Sequence, residues 1–105
     1  MSFTRSGGAP PALYTAVPVV RVTTSYTALA TDYYIGVNGA GVTVTLPLGS
    51  TTYPGKTYVV KGESGNTFNV QTSGPDRIDG SATVTATTGY TALTFLWAGS
   101  LWSVI

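Results

Sequence analysis

Apolar and polar residues alternate with a period of two along most of this chain, the spacing that puts every second side chain on one face of a β-strand. In Val42-Thr43-Val44-Thr45-Leu46, Val42, Val44 and Leu46 share one face and Thr43 and Thr45 the other. Ala82, Val84 and Ala86 alternate in the same way with Thr83, Thr85 and Thr87. Aromatic and β-branched residues fill residues 33–37 and 57–61, and such residues fit a pleated surface. The pattern predicts strands near residues 19–24, 33–37, 42–46, 57–61, 67–71, 82–87, 92–98 and 101–105. Residues 25–32, where Tyr26, Leu29 and Ala30 are three to four apart, have room for one short turn.

Turn signals separate these runs. Asn38-Gly39 supplies the positive-φ residues of a two-residue hairpin, with Gly39-Ala40-Gly41 as its loop. Pro47 lacks a backbone N–H and ends its strand. Tyr53-Pro54-Gly55-Lys56 and Ser64-Gly65-Asn66 turn the chain again, and Ala98-Gly99-Ser100 brings Trp97 and Trp102 together on adjacent strands. Short strands with such punctuation predict an all-β fold, a small antiparallel sandwich or barrel-like domain. The run Leu93-Thr94-Phe95-Leu96-Trp97 is apolar on both faces, a property of strands buried on both. A domain this small covers one face with its own core, so the other calls for a partner chain. Val42, Val44, Leu46, Leu93, Phe95, Leu96, Trp97 and Trp102 are therefore the candidates for core or subunit interface.

Composition sharpens this picture. The 105 residues make one domain. Only 9% are charged, while 43% are hydrophobic, so the chain lacks the signature of disorder. Its polar surface must be built from Thr, Ser, Asn and Gly, which leaves few charges to discourage self-association. The net charge of +1 creates no long-range attraction for nucleic acid or an acidic membrane. Arg5, Arg21, Lys56, Lys61 and Arg77 are scattered and form no basic patch for phosphates. No apolar run approaches the ~20 residues of a membrane helix, and the N-terminus has no signal-peptide core. Neither nucleic acid nor membrane insertion is expected.

Candidate chemistry is sparse. Histidine and cysteine are absent, which removes the commonest general base and the usual metal and nucleophile arrangements. Asp76 and Asp79, in Gly-Pro-Asp-Arg-Ile-Asp-Gly, are the one carboxylate pair that could serve glycoside hydrolysis or calcium. Pro-Asp and Asp-Gly are turn dipeptides, however, and the turn reading is preferred. The glycines of residues 36–41 precede no helix and so do not make a phosphate loop. No enzymatic activity and no cofactor are expected. Tyr53 and Tyr90 stand beside turns and are the candidates for contact with a glycan through their aromatic faces.

Several pieces in order resemble a β domain of bacteriophage fibres, found in tail fibres and in small capsid-attached head fibres. They are Asp32 to Ile35, Leu46-Pro47, Gly55 to Lys61, Glu63 to Asn66, Ile78-Asp79-Gly80 and Trp102 to Ile105. The resemblance spans about residues 22–105. It implies a homotrimer, a virion-surface location and a role in structure or host attachment.

Residues 1–20 read differently from the β domain of residues 21–105. They show no periodicity, Gly7-Gly8 is flexible and Pro10-Pro11 is stiff and extended. Phe3, Leu13 and Tyr14 are apolar anchors, Arg5 adds a cation, and Pro10 and Pro11 lower the entropy of laying the segment down. The segment is read as a docking arm for the capsid or another virion protein. The chain runs from Met1 to Ile105 with no room for a long shaft, so a head fibre or capsid decoration is expected. The alternative is a tail-fibre-like receptor-binding protein that contacts a host surface glycan.

Overall fold

A computed structural model describes residues 16–105. Nine strands form: β1 (Val19–Val22), β2 (Tyr26–Thr27), β3 (Tyr34–Val37), β4 (Val42–Thr45), β5 (Thr57–Gly62), β6 (Phe68–Gln71), β7 (Thr83–Ala86), β8 (Ala92–Trp97) and β9 (Trp102–Val104). One 3-10 turn, Gly49–Thr51, lies between β4 and β5. The all-β class and the strand positions agree with the sequence pattern. The docking-arm residues Phe3, Arg5, Pro10, Pro11, Leu13 and Tyr14 lie outside the described residues. β1 already begins at Val19, two residues inside the segment assigned to the arm.

The strands build two mixed sheets. Sheet A has the order β1-β3-β5-β8-β9 and sheet B the order β2-β4-β6-β7. From β1 to β6 the chain steps from one sheet to the other at every strand. The pairs β1–β2, β3–β4 and β5–β6 are thus three successive turns of a flattened coil. Within each sheet these strands pair in parallel, with Val19, Tyr34 and Val59 aligned in sheet A and Val42 and Phe68 in sheet B. The direction then reverses: β7 runs antiparallel to β6, β8 to β5 and β9 to β8.

The expected antiparallel arrangement is therefore corrected for the first six strands. Parallel neighbours need a long crossover, and here each crossover contains a strand of the opposite sheet. A period of two reports only that one face is buried. It is blind to the direction of the neighbouring strand, which is why the pattern could not reveal the coil. Asn38-Gly39 is likewise no hairpin, because β3 and β4 belong to different sheets and residues 38–41 cross between them. Gly39 is required for another reason: a Cβ there would collide with the Thr23 carbonyl in the adjacent turn of the coil. Residues 25–32 hold β2, which pairs with β4, and then the expected short turn, closed by the Asp32 N–H on the Leu29 carbonyl at 3.0 Å.

The core lies between the sheets. Ile35, Val37, Tyr58, Val60, Phe95, Trp97 and Trp102 come from sheet A, and Val42, Val44, Phe68, Val70 and Ala86 from sheet B. The Ala98–Leu101 turn closes as expected, with the Ala98 N–H 2.9 Å from the Leu101 carbonyl. It sets the Trp97 and Trp102 rings 5.3 Å apart, and Tyr58 lies 5.8 Å from Trp102. The Trp102 indole N–H has no acceptor among the described residues, a cost of about 1–3 kcal/mol set against burial of a very large apolar side chain.

The open choice between core and interface resolves along β8. Leu93, Phe95 and Trp97 face inward, while Thr94 and Leu96 face outward. Val42, Val44, Leu46, Phe95, Trp97 and Trp102 are buried in the core of the single chain and Leu93 packs against it. Six of the eight candidates are thus core, and Leu93 is partly buried against it. Of the eight candidates, Leu96 alone points outward.

Candidate functional site

The four side-chain carboxylates show where the polar chemistry goes. Asp32 is buried after β2, where it accepts the Tyr26 hydroxyl at 2.5 Å and the Leu29 N–H at 2.9 Å. The Lys56 ammonium donates to the Asp32 carbonyl at 2.6 Å, and the Tyr58 hydroxyl to the Leu29 carbonyl at 2.9 Å. Burial pushes the Tyr26 hydroxyl up to about 12, reinforced by its bond to Asp32. Burial and then the Asp32 charge push Tyr58 up to about 12 as well. Both phenols thus stay protonated donors at neutral pH, and the loop of residues 28–33 is fastened to β5.

Glu63 organises the outer face of sheet A. Its side chain lies across β3 at Gly36, where a Cβ would sit 2.6 Å from the carboxyl carbon. The carboxylate accepts the Tyr34 hydroxyl, the Asn38 amide at 3.1 Å and the Arg21 guanidinium at 3.0 Å. One residue thereby ties the sheet A strands of all three turns of the coil. Burial, and then the hydrogen bond and charge of Glu63, raise the Tyr34 hydroxyl above its ordinary value, against an opposing pull from Arg21.

Asp76 and Asp79 occupy turns. Asp76 accepts the Gly49 N–H at 2.7 Å. Asp79 and Gly80 both have positive φ and form a two-residue turn closed by paired backbone bonds between Ile78 and Ser81, at 2.6 and 2.8 Å. The Asp79 carboxylate accepts the Val104 N–H at 3.3 Å. Each carboxylate thus serves the backbone around it. Among the described residues, no three acidic, histidine or cysteine side chains gather around a common point.

Tyr53 and Tyr90 are both exposed, at 88% and 62%. They belong to opposite ends of β5: Tyr53 starts the turn leading into it, whereas Tyr90 bonds Ser64 just beyond its end. Five strand steps of about 3.3 Å separate these ends, so the two rings do not form one platform. Tyr90 has a left-handed backbone, φ 62°, held by the bond of its N–H to Ser64 and by Lys61, which donates to its carbonyl at 2.5 Å.

Tyr53 borders a cleft of about 160 Å³. Ala30, Pro47 and Tyr58 form its apolar floor, and Thr51, Thr52 and Lys56 its polar wall. The site rests on a fixed turn. Gly49 permits close approach of the Trp97 ring, since any Cβ would fall inside it. The Lys56 N–H returns to the Tyr53 carbonyl at 3.1 Å, and the Gly55 N–H reaches the Trp97 carbonyl at 2.7 Å. Tyr53 was visible in sequence as an aromatic beside a turn. Its neighbours carry no such sign, because Pro47 and Lys56 read there as a strand end and a turn residue, and Thr51 and Thr52 belong to no motif. Only the fold brings Ala30 to them.

The outer faces of the sheets differ. Sheet A carries Val19, Tyr34 and Val59 in one row, with Leu96 on β8 and the exposed Ile105 bonded beside Thr94. Sheet B carries Thr27, Thr45, Gln71 and Thr83 in one row and Thr43, Asn69 and Thr85 in the next. No protein-family model matches the chain, and no curated protein matches it.

Proposed function

We propose that this chain is a structural protein of a bacteriophage virion, without enzymatic activity or cofactor, that forms a homotrimer on the virion surface as a head fibre or capsid decoration. The observation that carries this reading is the outer face of sheet A. Its row of Val19, Tyr34 and Val59 is bordered by the Arg21–Glu63 ion pair, satisfied within the chain, and by Lys61, whose ammonium donates to the Tyr90 carbonyl at 2.5 Å, so burying the row against copies of the same chain leaves that ion pair in place. The number three and the virion come from the resemblance to fibre domains. Attachment falls to the segment containing Phe3, Arg5, Pro10, Pro11, Leu13 and Tyr14, with the capsid or another virion protein as its partner.

Deleting residues 2–14 tests the arm. The shortened protein is expected to remain trimeric and to lose co-sedimentation with phage particles. Particles decorated equally well by the shortened protein would remove the arm from the proposal. A tail-fibre-like receptor-binding role is the second reading, and the exposed Tyr53 beside its cleft favours it. Cryo-electron microscopy of particles separates the two, by density on the capsid or at the tail.

A further inference from the structure

We propose that the cleft beside Tyr53 binds one unit of an acidic saccharide, a pyranose ring carrying a carboxylate. The inference deepens the receptor-binding reading but rests on the cleft alone, and it holds wherever on a particle the chain stands.

Size comes first. A cavity of about 160 Å³ lies below the roughly 300 Å³ where pockets for drug-sized ligands begin, so it suits a single ring. A second depression, of about 280 Å³, is lined by Ser50, Thr51, Thr52 and Tyr53, three of which also line the cleft, so further sugar units have a neighbouring depression to occupy.

The wall chemistry is specific in its polarity. The Tyr53 ring is almost fully exposed and offers a face for the C–H side of a pyranose. The Thr51 and Thr52 hydroxyls both give their protons to the Leu48 carbonyl, at 2.9 and 2.7 Å. What they have left to offer is lone pairs, so they accept from hydroxyl groups of a ligand. Lys56 supplies the opposite sign. Its ammonium has three donors, one of which bonds the Asp32 carbonyl, and it lies 4.6 Å from the centre of the Tyr58 ring. The one ion pair among the described residues is Arg21 with Glu63, and no side-chain carboxylate there forms one with Lys56. An apolar face, several hydroxyl donors and one carboxylate together describe an acidic sugar. The turn is already fixed by Gly49, Gly55 and the backbone bond from Lys56 to Tyr53, so binding orders little.

The test is titration of the full chain with an oligosaccharide of uronic acid units and with a neutral glucan of equal length. Calorimetry and amide chemical shifts are the readouts. The uronate is expected to saturate, to move the amides of Thr51, Thr52, Tyr53 and Lys56, and to bind more tightly than the glucan. Tyr53→Ala, at a side chain that packs against little, is expected to weaken the uronate roughly tenfold. Lys56→Gln is expected to erase the preference for the acidic ligand. No saturation with either sugar, equal affinity for both in the unmodified protein, or uronate binding that survives Tyr53→Ala would each overturn the assignment.

Discussion

Sheets A and B share one core and one alternating pattern, yet differ on both faces. The inner face of sheet A carries the large rings of Tyr58, Phe95, Trp97 and Trp102, while that of sheet B carries mostly Val42, Val44, Val70 and Ala86. Outside, sheet B bonds its own polar groups across strands: Gln71 donates to Thr45 at 2.9 Å and Thr85 to Asn69 at 2.7 Å. Sheet A instead presents Val19, Val59, Leu96 and Ile105 beside the Glu63 network. A chain with few charges thus has one face whose hydroxyl and amide groups bond one another and one that exposes apolar side chains beside charged ones. The alternation fixes which residues point outward, and the residue types at those positions decide what each face is for.

The sharpest way to break this comparison is through the core. Trp102→Ala in sheet A is expected to cost about 4 kcal/mol. Val70→Ala in sheet B is expected to cost about 2 kcal/mol, because fewer methyl groups leave the core. Denaturant titration measures both, and equal losses would erase the distinction between the inner faces.

The outer faces come next. Glu63→Ala removes the acceptor for Tyr34, Asn38 and Arg21 and is expected to cost about 1–2 kcal/mol. Gln71→Ala, on the exposed sheet B face, should cost about 0.5 kcal/mol or less. Matching losses would show that Glu63 fastens the coil no better than a surface amide does.

Alkaline pH sharpens the picture around Asp32. Tyr26 and Tyr58 are both pushed up to about 12, above the value near 10 of an unfolded tyrosine. A group raised on folding contributes stability that is complete below the unfolded value and lost as pH climbs through the folded one. Stability is therefore expected to hold to about pH 10 and fall between about 10 and 12. Tyr58→Phe should flatten that fall, and circular dichroism against pH records it. A last, small effect has the opposite sign. Tyr90→Gly relieves the left-handed strain at φ 62° and should add about 0.5 kcal/mol to stability.

Much of this fold was legible in the sequence. Val42-Thr43-Val44-Thr45 and Thr83-Val84-Thr85-Ala86 announced both their strands and their inward faces, because side-chain alternation follows directly from strand geometry. The coil was not legible, since Asn38-Gly39 has the composition of a hairpin turn and only Gly39's contact with the Thr23 carbonyl shows its real task. β2, two residues long, is too short for any periodicity to reveal. At the candidate site Tyr53 stood out, but Lys56 and Ala30 meet it only through the folded turn. Glu63 gave one sign, a glycine in mid-strand at Gly36, whose missing side chain is where the carboxylate lies.

The most direct test of sheet A as the assembly face is the solution mass of the full chain, by native mass spectrometry and light scattering, beside Val59→Asp and Thr85→Asp. A trimer that Val59→Asp converts to a folded monomer, and that Thr85→Asp leaves whole, is the expected result. A wild-type chain that stays monomeric at every concentration, or a trimer that survives Val59→Asp, would contradict it.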